Sequence, residues 1–310
     1  AYLIQLLKIL IMLSIVIPSY NDAKNIPLAI ASANQIKYVS EIIIVDDCST
    51  DNTRSLIKEI SVNCKKIRYF KNLVNKGSGL TFLKGLEKLK NNYVLMLNSD
   101  DFFIPKAVER LFEYTINNKL DLGYGKMAIK KNNAIHQYLH PGYKNESYVN
   151  NRNELLDLLV FDMYIPSFGA ILNYNEIKEF YNTTYYEKLN FSYGKSFKAH
   201  DYDLFLNLAK KKKRIGFYNE TVCVWCKSKD SQSGLKYFDS GDACFESAFL
   251  FNKYFANEDF SEIDLSLIES RINGKYKNIK KSISKAMHLY KHYEIFLYNI
   301  KDLKNSNRIS

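Results

Sequence analysis

Cysteines and long apolar runs are both scarce in this sequence, and each shortage excludes a class of protein. The 310 residues include five cysteines, an odd number spread along the chain, which does not fit a disulfide framework and favours a reducing compartment. The most apolar stretch, residues 1–18, is interrupted by Gln5, Lys8 and Ser14 and is closed by Pro18. A membrane-spanning helix needs about 20 apolar residues, so we expect a cytoplasmic protein without such a helix.

One cysteine pair has the spacing of zinc ligands. Cys223 and Cys226 lie three positions apart, but neither a second pair nor a nearby histidine accompanies them. On a strand, positions three apart also point to opposite faces. We therefore predict ordinary packing for both thiols.

Acidic residues are scarce in the last forty positions. Residues 271–310 hold ten Lys or Arg and only two acids, so this tail carries +8 (10 − 2) of the formal net charge of +11. Apolar residues recur there at helical spacing, which predicts amphipathic helices with basic outer faces. Two interpretations are open: the tail binds the anionic inner face of a membrane, or it is a solvated helical cap.

The first half of the chain alternates between apolar runs and amphipathic stretches. The runs predict strands at residues 13–17, 41–47, 66–70 and 93–98, and the stretches predict helices at residues 22–36, 49–60, 78–89 and 105–116. Ser49, Thr50 and Asp51 are expected to cap the second helix. Continuous apolar strands are typical of parallel sheets covered on both faces, so the sequence predicts an α/β fold.

Polar side chains follow three of these strands. In open α/β sheets, ligands bind at the carboxyl ends of the strands. The residues expected there are Pro18, Ser19, Tyr20, Asn21, Asp46, Asp47, Cys48, Ser49, Asn98, Ser99, Asp100 and Asp101. Three polar strand ends at one edge favour a ligand site over ordinary loops.

Four stretches in this order and spacing resemble the family 2 glycosyltransferases: SIVIPSYN (14–21), EIIIVDDCSTDNT (41–53), NKGSG (75–79) and LMLNSDD (95–101). The resemblance is close over residues 12–105 and looser to about residue 230. It implies an inverting enzyme of GT-A fold, with a Rossmann-like, mostly parallel central sheet flanked by helices. It also implies a nucleotide-activated sugar as donor.

The resemblance assigns the donor-binding residues. Asp46, with Asp47 beside it, corresponds to the acid that hydrogen-bonds the uracil or ribose, and residues 18–21 wrap the base from the other side. Gly77 lets the backbone come close to the nucleotide, whereas Gly79 fits a plain turn equally well. Lys227, in a later loop, is assigned to the diphosphate or the acceptor.

The stretch LMLNSDD corresponds to the acidic metal motif of the family. The resemblance implies that Asp100, with Asp101, holds Mg²⁺ or Mn²⁺ against the donor diphosphate. Asn98 stands where the family has the first acid, so one charge is missing and we expect a weakly held metal. Asn98 and Ser99 are also expected to face the donor.

The family places its general base in a Glu-Asp pair at the start of a later helix. The matching stretch is KAHDYDLFLNLAKKKKR (198–214), which makes Asp201 the predicted base. His200 replaces the usual glutamate. An aspartate at a helix N-terminus also stabilises the helix without any catalytic role.

The resemblance predicts a GT-A domain over residues 12–235, after a stub or surface helix (1–11) and before a basic helical region (236–310). The leading function is transfer of a sugar from a UDP-sugar to a bacterial surface glycan or a lipid-linked oligosaccharide. A nucleotidyltransferase and a non-catalytic binder of sugar nucleotides or anionic surfaces are the alternatives. No nucleic-acid partner is expected.

Overall fold

The computed structural model describes residues 11–226 with gaps, and six residues beyond them. The gaps are residues 132–133, 140–142, 151–153, 156–157, 159–162 and 195, and the six residues are 242, 246, 249, 250, 253 and 254. The described residues form two compact units, one within residues 1–151, 165–197 and 212–227 and the other within residues 152–164, 198–211 and 228–310. The predictions for residues 1–10, Lys227 and the basic tail lie outside the described residues.

The strands of the first unit form one sheet. Their bounds are β1 Leu13–Ser19, β2 Val39–Asp46, β3 Ile67–Lys71, β4 Tyr93–Met96, β5 Phe102–Phe103, β6 Leu122–Lys131, β7 Ala134–Gln137, β8 Tyr148–Val149, β9 Ala170–Asn173 and β10 Ile215–Cys226. The strand order is β3-β2-β1-β4-β9-β6-β10-β5, with β7 beside β6 and β8 beside β10.

Among the α-helices whose bounds the structure describes, six belong to the first unit and one to the second. The first six are α1 Ile26–Asn34, α2 Thr53–Asn63, α3 Ser78–Leu86, α4 Pro105–Asn117, α5 Tyr174–Ile177 and α6 Thr183–Tyr193. The second unit contains α7, His200–Lys210. None of the helices in the described part of the chain is long and apolar enough to cross a membrane.

The half of the sheet formed by β3, β2, β1 and β4 is parallel throughout. Every residue of β1 is buried, as are the last six residues of β2, because helices cover both faces. On one face Ile15 and Ile17 pack in a core with residues of α1, α2 and α4. On the other face α3 lies so close that a Cβ added at Gly85 would stand 2.3 Å from Val16 Cγ1. The predicted α/β fold with a central sheet flanked by helices is confirmed.

The second half of the sheet is mixed. β9 runs antiparallel to both β4 and β6, and β6 then pairs in parallel with β10. β5 adds two residues antiparallel to β10. This half brings Cys226, the last residue of β10, beside the polar residues that follow β4.

The start of α2 differs from the prediction. The helix begins at Thr53, and of the three predicted cap residues only Asp51 bonds to it, since its Oδ1 accepts from the Thr53 N–H at 3.0 Å. Ser49 Oγ accepts instead from the N–H of Asn21, at 2.9 Å. The helix therefore starts later than predicted because its leading residues hold the neighbouring loop.

Candidate functional site

The three polar strand ends lie side by side, as the strand order β2-β1-β4 requires. Ser19, the last residue of β1, is paired with Asp46, the last residue of β2. Beyond the end of β4, the Leu97 N–H donates to the carbonyl oxygen of Val16 on β1. The predicted residues after these strands are therefore brought to one edge of the sheet.

The loop after β1 is joined to the loop after β2 by hydrogen bonds. Asn21 has a φ of +48°, a left-handed conformation that asparagine tolerates better than most residues. Its Oδ1 accepts from the Thr50 N–H at 2.8 Å, and the next residue, Asp22, donates its N–H to Thr53 Oγ1 at 2.9 Å. The two loops therefore form one continuous surface, from which Tyr20 extends half exposed.

Pro18 and Ser19 end β1 below that surface. Both residues are buried, and Ser19 Oγ has no hydrogen-bond partner among the residues that the structure describes. A buried hydroxyl without a partner costs free energy. Its place at a strand end makes it a polar atom that a bound molecule can satisfy.

Asp46 is completely buried and bonds to the protein through both oxygens. Its Oδ1 accepts from the Ser49 N–H at 2.8 Å, and its Oδ2 accepts from the Tyr69 hydroxyl at 2.6 Å. Burial and this bond to Asp46 raise the pKa of Tyr69. The carboxylate thus fixes the loop after β2 and the end of β3, while the predicted direct contact with the nucleotide stays a prediction.

Asp47 holds the loop that leads into α3. Its Oδ1 accepts from the Lys76 N–H and its Oδ2 from the Gly77 N–H, both at 2.8 Å. Gly77 has a φ of +85°, and a Cβ there would lie 2.9 Å from Ser196 Oγ. The positive φ therefore favours glycine at this position, and a larger residue would also have to displace the Ser196 hydroxyl. Gly79, in contrast, lies buried inside α3.

Asn72 is a residue of this edge that the sequence analysis missed. It is buried, and its Nδ2 donates to Asp47 Oδ1 at 2.8 Å and to Thr81 Oγ1 at 3.1 Å. Lys84 Nζ donates to Asn72 Oδ1 at 2.6 Å. The available signal was its position directly after β3, at the same edge as the predicted residues.

The two adjacent acids after β4 have different environments. Asp101 is buried, and it accepts from Asn98 Nδ2 and from the Cys226 N–H, each at 2.8 Å. Burial, reinforced by the charge of Asp100, raises the pKa of Asp101 to about 7. Through these contacts Asp101 joins the ends of β4 and β10, while its predicted role as a metal ligand stays a prediction.

Asp100 is the acid that stays partly exposed, next to the partly exposed Asn98 and Ser99. Burial, followed by the charge of Asp22, raises the pKa of Asp100. Asp22 was not among the predicted site residues, although it directly follows the SIVIPSYN stretch. Two carboxylates that repel each other are a donor set that suits a hard divalent cation.

The described residues contain no group of three or more His, Cys, Asp or Glu side chains able to hold a metal ion. A cation beside Asp22 and Asp100 therefore needs further oxygen ligands. Mg²⁺ sites commonly complete their coordination with water and substrate phosphates. The residues present fit a cation that arrives together with a diphosphate.

Asp201 lies in the first turn of α7, in the second unit, and is partly exposed. Its Oδ1 accepts from the Tyr202 N–H at 2.8 Å. His200, which replaces the glutamate of the family motif, is buried, and this burial lowers its pKa. The predicted helix and the position of Asp201 at its start are thus present in the structure.

Two further acids surround this helix start. Asp203 is buried and accepts from Lys253 Nζ at 2.6 Å and from the Tyr254 hydroxyl. Glu246 is buried and accepts from the backbone N–H groups of Lys198 and Ala199. The region that contributes Glu246, Lys253 and Tyr254 has no recognisable sequence motif.

Solved structures support the fold of the chain. Residues 1–349 of TarS from S. aureus, in complex with UDP-GlcNAc, match with a TM-score of 0.65 at 17% identity, over 94% of this chain and 80% of that one. The mannosyltransferase PcManGT from Pyrobaculum calidifontis, in complex with GDP-Man and Mn²⁺, matches with a TM-score of 0.56 at 12% identity, over 89% of this chain and 75% of that one. The GT-A fold predicted from the sequence is confirmed.

Curated relatives match over part of their length. The Escherichia coli UDP-Glc:alpha-D-GlcNAc-diphosphoundecaprenol beta-1,3-glucosyltransferase WfgD is 30% identical over 125 residues, 40% of this chain and 49% of that protein. The putative teichuronic acid biosynthesis glycosyltransferase TuaG of Bacillus subtilis is 29% identical over 133 residues, 42% of this chain and 52% of that protein. The matched segments span about a third to a half of the length of the first such relatives.

The sequence profile of glycosyl transferase family 2 matches residues 14–174. This region contains β1 without its first residue, all of β2 to β4, and every polar strand end described above. It covers more than half of the 310 residues. The chain belongs to glycosyl transferase family 2.

Proposed function

We propose that this protein is an inverting glycosyltransferase that moves a sugar from a UDP-sugar to a hydroxyl of a bacterial surface glycan or a lipid-linked oligosaccharide. The observation that carries the proposal is the polar edge of β2, β1 and β4, where Asp22 and Asp100 lie close enough for the charge of Asp22 to raise the pKa of Asp100. An edge of this kind is where α/β sheets bind nucleotides. The transferase domain is residues 12–235.

The donor lies against the loops after β1 and β2. Tyr20, half exposed, offers an aromatic face for the base, and Ser19 Oγ offers a buried polar atom without a described partner. Asp46 and Asp47 act mainly by holding these loops, because their oxygens accept bonds from protein groups. The complexes of TarS with UDP and with UDP-GlcNAc support a uridine nucleotide.

Asp22 and Asp100 would hold Mg²⁺ or Mn²⁺ next to the donor diphosphate. The ion, when bound, neutralises the charge that develops on the leaving diphosphate. Asn98 supplies an uncharged amide where a third carboxylate would strengthen the site, so the affinity for the ion depends on the nucleotide. The PcManGT complex with GDP-Man and Mn²⁺ supports a metal in this fold.

Asp201 is the general base. Its carboxylate takes the proton from the acceptor hydroxyl as the acceptor oxygen bonds to the anomeric carbon of the sugar. The bond from that carbon to the β-phosphate oxygen breaks, and the nucleoside diphosphate leaves with the electron pair. A single displacement of this kind inverts the anomeric configuration, which the product's stereochemistry can test.

The class of acceptor follows from relatives whose names concern envelope glycans. One name specifies a diphosphoundecaprenol acceptor and another specifies teichuronic acid biosynthesis. A lipid carrier or a surface polymer is therefore the acceptor to test first. Lys227, predicted to meet the diphosphate or the acceptor, stays a prediction.

A thermal-shift panel tests the donor. UDP-glucose, UDP-N-acetylglucosamine, GDP-mannose, CMP-sialic acid and dTDP-glucose are compared with and without Mn²⁺. We expect UDP-sugars to raise Tm most, and only with the ion, followed by UDP release on adding a lipid-linked acceptor. Free nucleoside triphosphates are tested beside the panel, and stabilisation by them but by no sugar nucleotide would favour a nucleotidyltransferase. Binding of a sugar nucleotide without any UDP release would favour a non-catalytic binder.

A further inference from the structure

We propose that Glu246 is a positioning residue for catalysis, because it fixes the turn from which Asp201 projects. The inference rests on the proposed role of Asp201 as general base. It assigns a purpose to a region in which the sequence has no recognisable motif. All of the contacts that carry it lie within the second unit.

Helix α7 lacks a cap of its own. Its N-cap residue is Ala199, whose methyl group cannot accept a hydrogen bond, and no side-chain cap bond is present. Alanine is among the poorest residues at this position. The start of the helix therefore depends on groups from elsewhere in the chain.

Glu246 provides that group. Its Oε2 accepts from the Ala199 N–H at 2.8 Å and from the Lys198 N–H at 3.1 Å, and its Oε1 lies 3.2 Å from the Lys198 nitrogen. The side chain is 0% exposed, so water does not compete for these bonds. A buried carboxylate at a helix N-terminus also interacts favourably with the helix dipole.

The two residues that follow Asp201 are held by similar bonds. Tyr202 donates its hydroxyl to the Leu158 carbonyl oxygen at 2.6 Å, and Asp203 is paired with Lys253 at 2.6 Å. Asp201 is thus the partly exposed acid in a turn whose neighbouring groups are buried and bonded. On the N-terminal side of Asp201, Glu246 accepts hydrogen bonds from the backbone N–H groups of Lys198 and Ala199.

A positioning role makes a specific kinetic prediction. Displacing a catalytic group by about 1 Å can lower a rate by about 10²-fold without removing the group. Loss of the Glu246 carboxylate should therefore lower kcat while leaving the donor site of the first unit unchanged. A residue that merely stabilises the whole fold would lower UDP binding together with turnover.

The experiment compares full-length variants by UDP release from UDP-glucose or UDP-N-acetylglucosamine, whichever the wild type turns over faster. Glu246→Ala removes the carboxylate that accepts the hydrogen bonds, and Glu246→Asp shortens the side chain by one methylene group. Glu246→Gln keeps one oxygen that can accept from the Ala199 N–H. Glu59→Gln, an exposed position on α2, is the control. UDP affinity is measured for each variant by calorimetry.

We expect Glu246→Ala and Glu246→Asp to lower kcat about 10- to 100-fold with unchanged KM for the donor and unchanged UDP affinity. Glu246→Gln should recover most of kcat, and Glu59→Gln should match the wild type. If Glu246→Ala does not fold, the kcat and the UDP affinity of Glu246→Asp test the proposal. Wild-type kcat in Glu246→Asp, or a parallel loss of UDP affinity, overturns the proposal.

Asp201→Asn separates this inference from the proposed function. If Asp201→Asn turns over normally, the assignment of the base fails and the positioning role fails with it. If the wild type neither binds UDP nor releases it, the proposed function itself fails. If Asp201→Asn is inactive while the Glu246 variants keep wild-type kcat, only the positioning role is wrong.

Discussion

The sheet edge and the start of α7 each contain a buried acid that accepts hydrogen bonds and an acid that is partly exposed. The two regions differ in how far apart these acids lie in the sequence. At the edge, Asp47 and Asp101 are buried and accept hydrogen bonds, while Asp100 is partly exposed. At α7, Glu246 is buried and accepts bonds, while Asp201 is partly exposed. In both regions a buried acid accepts hydrogen bonds from backbone N–H groups, and the partly exposed acid is the one proposed to take part in the chemistry.

The two regions differ in the sequence position of the buried acid relative to the partly exposed one. At the edge, the buried Asp101 directly follows the partly exposed Asp100 in one short motif. At α7 the buried acid, Glu246, lies 45 positions after Asp201 (246 − 201) in the chain. An acidic motif therefore marks a region of function, but the role of each acid depends on its burial and its partners.

The largest expected effect is at Asp201. Asp201→Asn keeps the shape of the side chain and removes its ability to take a proton, so turnover should fall by about 10²- to 10⁴-fold. UDP affinity should stay unchanged, since the donor groups belong to the first unit. Rates of UDP release measured beside calorimetric titration with UDP test both statements. Normal turnover would assign the base to another group.

Asp100 should show the next largest effect, on binding. Asp100→Ala removes a carboxylate from the proposed cation site and should abolish most of the increase in UDP affinity that Mn²⁺ produces. Asn98→Asp restores a charge and should strengthen that increase. Calorimetric titration with UDP, with Mn²⁺ or with EDTA, measures the difference. Full activity of the wild type in excess EDTA would rule out the metal.

Substitution of Asp46 tests whether this buried acid also contacts the nucleotide directly. Asp46→Ala leaves the Ser49 N–H and the Tyr69 hydroxyl without their acceptor, which should destabilise the fold by about 1–3 kcal/mol. Tyr69→Phe removes one of these bonds without touching the carboxylate. If Asp46 acts only through the loops, both variants should weaken UDP binding in proportion to their loss of stability. A large loss of affinity in Asp46→Ala alone would indicate direct contact with the nucleotide.

The dependence of metal binding on pH follows from the raised pKa of Asp100. Protons compete with the cation for the ionised carboxylate, so a raised pKa makes acidification weaken binding at a higher pH than for an ordinary carboxyl group. Mn²⁺-dependent UDP affinity should therefore decline as the pH falls from 7 to 5. Constant affinity over that range would contradict the proposed pairing of Asp22 with Asp100.

The basic tail should have the smallest effect on turnover. Replacing Lys275, Lys277, Lys280, Lys281 and Lys285 by glutamine in the full chain should leave UDP binding unchanged. If the tail is a membrane anchor, the wild type should bind anionic vesicles in low salt and dissociate from them in high salt. The reason is that charges are screened over about 8–10 Å at physiological ionic strength. Equal partitioning of both proteins at every salt concentration would favour the solvated cap.

The parallel half of the sheet could be predicted from the sequence because its strands are continuous apolar runs that end in polar residues. In the second half, β5 has only two residues, too few to show a periodic pattern. The antiparallel direction of β9 depends on pairing with β4 and β6, which no local pattern encodes.

The candidate site was predicted to the level of regions but not of individual roles. The motifs predict Asp100 and Asp201 as site residues, and these roles stay predictions. Asp22, Asn72 and Glu246 were not predicted, because the contacts described above join them to residues that are distant in sequence. The buried state of Asp46 and Asp101 was also not predictable, since a carboxylate in a motif looks the same whether it faces a ligand or a backbone N–H.

Calorimetric titration of UDP in Mn²⁺ into the wild type, Asp100→Ala and Asp201→Asn tests most directly the claim that the sheet edge binds the donor and that Asp201 is not part of the donor site. The account predicts equal affinity for the wild type and Asp201→Asn, and a greatly weakened affinity for Asp100→Ala. Equal affinity in all three proteins, or a loss in Asp201→Asn as large as that in Asp100→Ala, would contradict it.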